Sequence, residues 1–180
     1  TLVKAEEVFK KLPFRDIVSW NTLIAGYAQL GQVKLVFGLI SKMTKEGVLP
    51  DEVTFLVLLT VSSHAGLVEE GHVIFDEVCT YYPSPTLEHY ACMVDIFGRA
   101  RHFEKAIYLI ENVSSSDRFP LWLALLGACY KWVNLELGRW AFEQSLQLDK
   151  NCASAFVSMK NIYAAVGMLT EANENCGLKR

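Results

Sequence analysis

The sequence predicts an all-α fold, a solenoid of antiparallel helix pairs, on three observations. A spaced motif recurs along the chain, the prolines fall between its copies, and the alternating β-branched runs that mark strands are missing. The motif is a glycine or a stand-in, then a small residue five positions later, then a large apolar residue four beyond that. It is spelled Gly31, Val36, Ile40; Gly66, Gly71, Phe75; Arg101, Ala106, Ile110; Val133, Gly138, Phe142; and Gly167, Ala172, Cys176. Ala5 and Phe9 supply the last two members of an earlier copy. The small positions, 5, 36, 71, 106, 138 and 172, are separated by 31, 35, 35, 32 and 34 residues. Such a period marks stacked units, none of which can bury its apolar faces alone.

The elements follow in order. A lone helix near 3–12 opens the chain on the amphipathic run Ala5-Glu6-Glu7-Val8-Phe9. Helix pairs are then expected at 17–30 with 33–46, 52–65 with 68–81, 87–100 with 103–114, 120–131 with 135–147, and 153–166 with 169–177. Between the helices of each pair the chain must reverse, which the motif's glycine does at low steric cost. The small residue lets the second helix approach the first, and the large residue one turn on fills the core between them. Pro13, Pro50, Pro83, Pro85 and Pro120 fall in the expected connections, where a missing N–H is tolerated.

Composition narrows the function classes. Hydrophobic residues make up 52% and charged residues 21% of the 180, which describes a folded chain with a substantial core. The net charge of −3 excludes non-specific phosphate binding as the main activity, so any nucleic-acid role must rest on positioned side chains. Five cysteines, Cys79, Cys92, Cys129, Cys152 and Cys176, contain no CxxC pair and read as scattered buried thiols of a reducing compartment. The longest apolar stretch, 53–61, is too short to span a bilayer. No signal or transit segment is expected at the N-terminus, so the chain reads as a piece of something longer.

Period alone does not choose between tetratricopeptide and pentatricopeptide repeats, which share this architecture. The run Ile17-Val18-Ser19-Trp20-Asn21-Thr22-Leu23-Ile24, followed by Met43, Gly47, Pro50 and Asp51, resembles the pentatricopeptide pattern VxYNTLI through MxxxGxxPD. The uneven period looks like the alternation of standard, long and short repeats in the plant PLS subclass. Residues 87–100, LEHYACMVDIFGRA, resemble that subclass's final short repeat. Trp122 through Cys129 with Asn134 through Gly138 resembles the first of two extension (E) motifs, and Asn161 through Gly167 the second. The resemblance implies a right-handed α-α superhelix. Its repeats would be a truncated short repeat at 1–16, a standard repeat at 17–51, a long one at 52–86, a short one at 87–118, and E motifs at 119–152 and 153–180. It also implies a site-recognition factor for C-to-U editing of mitochondrial or plastid transcripts, with splicing or cleavage as the alternative process and the mitochondrion slightly preferred. A tetratricopeptide-like scaffold for protein partners stays open as the alternative function.

In the family each repeat reads one base through its fifth and last residues, a known property of such helical repeats and not a result from this chain. Here those residues are Asn21 and Asp51, a pair that implies uracil, with cytosine second. Val18 and Val53 would sandwich the base, and Asp16 would be the last residue of the upstream repeat. The plain alternative is that Asn21 and Asp51 serve as a helix cap and a turn residue. Later repeats depart from the code, with Leu56 and Thr86, then Ala91 and Arg118, then Leu123 and Cys152, then Val157. Leucine, alanine and valine cannot hydrogen-bond a base edge, and Leu56 is a candidate protein contact. The resemblance implies single-stranded organellar RNA as partner, bound weakly by this stretch alone. It also implies multiple organellar RNA editing factor proteins and a deaminase domain as further partners.

No chemistry of its own is expected. The family's deaminase needs His-x-Glu with a later Pro-Cys-x-x-Cys to hold zinc. His102-Phe103-Glu104 spells the first half, but no such cysteine pair follows. His89 and Cys92 lie one helical turn apart, too few ligands to close a site. No phosphate-cradling loop, nucleophile elbow or HExxH is present, so neither a catalytic residue, nor a cofactor, nor a metal, nor a small-molecule substrate is expected.

Overall fold

A computed structural model describes residues 2–81, 85–113 and 118–168. Among them are ten helices and no strand: α1 (Leu2–Lys11), α2 (Ile17–Gln29), α3 (Val33–Lys45), α4 (Glu52–Ala65), α5 (Val68–Tyr81), α6 (Leu87–Arg99), α7 (Phe103–Asn112), α8 (Phe119–Trp132), α9 (Leu135–Leu148) and α10 (Ala153–Ala165). Each lies within two residues of an expected helix. The helix expected at 169–177, with Ala172 and Cys176, lies outside the described residues, as does Pro83.

The reversals have one design. At the first member of every motif copy the backbone is left-handed: φ is +66° at Gly31, +70° at Gly66, +64° at Arg101, +54° at Val133 and +80° at Gly167. In each case the next residue's N–H donates to the carbonyl five residues back. The pairs are Gln32 to Tyr27 (3.1 Å), Leu67 to Ser62 (2.9 Å), His102 to Phe97 (2.8 Å), Asn134 to Cys129 (2.9 Å) and Met168 to Tyr163 (2.9 Å). This is the Schellman closure, which satisfies carbonyls left over at a helix end. Connections of two or three residues then force the two helices of a pair antiparallel.

The chain divides into two compact units, Thr1–Pro85 and Thr86–Arg180. In the first, α2 pairs with α3 and α4 with α5, α2 and α3 also pack on α4, and α1 packs on α2. Trp20 and Ile24 of α2 are fully buried, and the Trp20 ring meets Phe9 edge-on at 4.7 Å between centroids. In the second unit α6 pairs with α7 and α8 with α9, while α8 also carries α6 and α10. Leu121, Leu125 and Leu126 are fully buried there, and Trp122 meets Trp140 edge-on at 5.0 Å.

The small positions explain that packing. Val36, Gly71, Ala106 and Gly138 are all buried. A methyl at Gly138 would lie 2.9 Å from Ile162 Cδ1 and 3.6 Å from Cys129 Cβ, so a side chain there would have to displace the end of Ile162. Ala5 is exposed, because among the described residues α1 packs only on α2. Pro120 is a correction, since it sits inside the first turn of α8 rather than in a connection. The first turn has no N–H partners to lose, which makes proline acceptable there. The cysteines are a second. Of those described, only Cys129 is buried, with its thiol pushed up to about 12 by desolvation, and Cys79 is exposed.

Candidate nucleic-acid interface

The interface begins with helix N-termini. A helix leaves its first N–H groups unpaired, and an aspartate just before it supplies an acceptor. Asp16 does so for α2: its Oδ1 accepts from the Ser19 N–H at 2.8 Å and the Ser19 hydroxyl at 2.6 Å. Both bonds favour the charged form and hold this exposed carboxyl below its ordinary range. Asp51 does the same for α4, accepting the Thr54 N–H at 2.9 Å, and the Asp51 N–H donates back to the Thr54 hydroxyl at 3.1 Å. That reciprocal pair is a capping box. Thr86 begins α6 with a capping box to the buried His89.

Asp51 has a second attachment. Asn21, one turn into α2, donates from Nδ2 to Asp51 Oδ1 at 2.9 Å, and the Thr54 hydroxyl lies 2.6 Å from Asn21 Oδ1. The two candidate reading residues, thirty positions apart in sequence, are therefore in direct contact, and both are half-buried. Burial is the largest influence on Asp51 and pushes its pKa up. The Thr54 N–H, the Asn21 amide and the Thr54 hydroxyl together outweigh it, and the carboxyl ends below its usual value. The partners recorded for Asp51 all meet Oδ1. Among the described residues, neither Oδ2 nor the second Nδ2 hydrogen has a hydrogen-bond partner. The plain alternative is corrected here: the cap is Asp51, through one of its two carboxylate oxygens, and Asn21 lies inside α2, which Asp16 caps.

Val18 and Val53 occupy the second position of α2 and α4, and they are 66% and 54% exposed. Apolar side chains that open flank the Asn21–Asp51 pair in sequence register on successive first helices. Leu56 is half-buried and lines an apolar groove of about 470 Å³ with Ala25, Ala28, Val57, Thr60 and Val61.

The other positions of the pattern differ. Arg118 turns its guanidinium to the Val113 carbonyl (Nε 3.0 Å, Nη2 2.6 Å). Cys152 begins α10 without a side-chain cap, and its Sγ lies 2.9 Å from the Ser154 hydroxyl. Ala91 and Leu123 are half-buried, and Val157 is 56% exposed on α10. His102 and Glu104 are both exposed at the start of α7, while His89 is buried in α6. Among the described residues no group of three or more His, Cys, Asp or Glu could hold a metal ion, and no helix is long and apolar enough to cross a membrane.

Sequence reasoning missed Thr54, which ties Asn21 and Asp51 together. The spacing Asp51-x-x-Thr54 could have found it as a cap signature, with threonine in the place usually held by glutamate or glutamine.

Comparison with known proteins agrees with this architecture. Residues 15–64 match the PPR repeat family. Pentatricopeptide repeat-containing protein At4g14820 of Arabidopsis thaliana is 41% identical over 88% of this chain and 22% of its own length. From the same plant, mitochondrial At4g19191 is 39% identical over 92% of the chain and 25% of its own length. Chloroplastic At5g13270 is 37% identical over 94% of the chain and 23% of its own length. The chain thus spans about a quarter or less of these relatives. Among solved structures, the pentatricopeptide repeat protein PPR10 in complex with an 18-nt psaJ RNA element superimposes with a TM-score of 0.76. It is 23% identical over 96% of this chain and 26% of that one, which carries the fold. Residues 15–64 thus match the PPR repeat family, and the chain is similar along most of its length to plant pentatricopeptide repeat proteins.

Proposed function

We propose that this chain binds single-stranded RNA and reads one base at the rung formed by Val18, Asn21, Asp51 and Val53. The observation that carries the reading is the Asn21–Asp51 hydrogen bond, which brings an amide with a second N–H against a carboxylate with a second oxygen. A donor next to an acceptor complements a base edge that offers an acceptor next to a donor, such as O4 and N3–H of uracil. The exposed faces of Val18 and Val53 suit the two faces of a base. The match of residues 15–64 to the repeat family and the RNA-bound state of PPR10 support the same partner.

The repeat plan is the one the motifs suggest, with a standard repeat at 17–51, a long one at 52–86, a short one at 87–118 and E motifs from 119 onward. On this reading the chain is part of a PLS-type organellar protein. Its process is site-specific C-to-U editing, and its E motifs recruit or carry a deaminase. The compartment is the mitochondrion or the chloroplast, both of which occur among the relatives' names. The apolar groove beside Leu56 supports a protein contact there, with editing-factor proteins as the partner class.

The test is Asn21→Ala in the full-length protein, with base preference measured by sequencing RNAs selected from a random pool. Preference should relax at one nucleotide only. An unchanged profile at every position would remove Asn21 from the reading set.

A further inference from the structure

The geometry points to Thr54 as the positioning residue that fixes which group of Asn21 faces the nucleobase. The inference rests on the base-reading role proposed above. Thr54 is fully buried, the third residue of α4. Its hydroxyl oxygen lies 2.6 Å from Asn21 Oδ1 and 2.8 Å from Asp51 Oδ1, and it accepts the Asp51 N–H at 3.1 Å.

A hydroxyl has one proton, and here two oxygens compete for it. Asp51 Oδ1 already accepts from the Thr54 N–H and from Asn21 Nδ2, whereas Thr54 is the donor recorded for Asn21 Oδ1. The shorter contact is also the one to Asn21, so the proton goes to the amide oxygen. Turning the amide over would set Asn21 Oδ1 against the Asp51 carboxylate, acceptor against acceptor, and discard the Thr54 bond as well. Two anchors therefore select one orientation, in which the oxygen faces inward and N–H alone is presented. Without the hydroxyl one of the two anchors is gone, the turned amide is less disfavoured, and its oxygen can then accept from an exocyclic amino group, as on adenine or cytosine. Thr54 thus governs selectivity from a position that touches no RNA.

The 180-residue chain, unsubstituted and as Thr54→Val, Thr54→Ser and Asn21→Ala, is titrated with the octamers rU8, rC8 and rA8 by NMR, with circular dichroism confirming the fold of each. Thr54→Val should lower the ratio of the rA8 to the rU8 dissociation constant by about two- to tenfold, the worth of one hydrogen bond. Thr54→Ser, which keeps the hydroxyl, should retain the ratio. A ratio kept by Thr54→Val, or all three RNAs weakened equally, overturns the inference. A ratio in Asn21→Ala equal to that of the unsubstituted chain overturns the base-reading role itself, a distinguishable failure. Should Thr54→Val not fold, hydroxyl-proton exchange in the unsubstituted chain decides. The Thr54 proton should exchange far more slowly than that of Thr22, which donates to the Val18 carbonyl at an exposed site. Equal rates overturn the assignment.

Discussion

Gly98→Ala and Gly127→Ala, made in the same unit of the chain, separate helix propensity from helix packing. Both glycines lie within helices, and replacing a helix-interior glycine by alanine is worth about 0.8–1 kcal/mol when nothing else changes. At Gly127 nothing else does: a Cβ would have no neighbour within 4 Å. At Gly98 a Cβ would collide with the Cβ of Ala128, a rigid group that is itself buried, so α6 and α8 must move apart. Overpacking of this kind costs about 1–3 kcal/mol. The separation also strains the bond from Trp132 Nε1 to the Gly98 carbonyl, 2.9 Å long and worth about 1 kcal/mol. The net expectation is about 1 kcal/mol gained by Gly127→Ala and about 1–3 kcal/mol lost by Gly98→Ala. For a chain of this size each kcal/mol moves the melting temperature by roughly 2–4 °C. Thermal unfolding followed by far-UV circular dichroism reads both. A Gly98→Ala chain melting at or above Gly127→Ala would refute the close approach of α6 and α8.

Val133→Gly should stabilise the chain by about 1 kcal/mol, since a β-branched residue at φ +54° carries a left-handed penalty of about 1–2 kcal/mol and glycine returns part of it as unfolded-state entropy. Urea unfolding with an unchanged or lower midpoint would count against it. Asp51 has a depressed pKa in the fold, so its contribution is complete above the ordinary carboxylate value of about 3.9 and is lost as pH falls through the lower folded-state value. Asp51→Ala should therefore cost about 1 kcal/mol at pH 6 and progressively less in that acidic window; a cost that is constant with pH would sink the charged-cap account. The net charge of −3 and the single coded rung predict a dissociation constant above about 1 μM for short RNA at physiological salt. Nanomolar titration would contradict it.

The fold was legible because stacking forces the same solution at each repeat. Arg101 and Val133 are unusual left-handed residues, yet their place in the motif marked them, and the backbone is left-handed at both. Buried small positions were equally readable where a neighbouring helix exists, and Ala5 shows the limit, since burial belongs to the pair and not to the residue. Asn21 and Asp51 could be matched by register across thirty positions. What register could not supply is the hydrogen-bond arithmetic: that Asp51 caps α4 with the same oxygen that holds Asn21, and that a buried threonine closes the ring. The Asp51-x-x-Thr54 spacing signals the cap, but the shared oxygen depends on side-chain directions that no spacing rule encodes. Arg118 was readable as a departure from the pattern, but its attachment to the Val113 carbonyl was not.

The shared oxygen of Asp51 has a practical corollary for anyone grafting such modules. A splice placed between Asp51 and Glu52 would keep the aspartate with one parent and take its threonine from another, losing the hydroxyl that meets Asn21 Oδ1 and the Asp51 N–H, while the Asn21–Asp51 bond and the backbone cap of the next helix remain. A junction after Thr54 transfers the three side chains as one cassette.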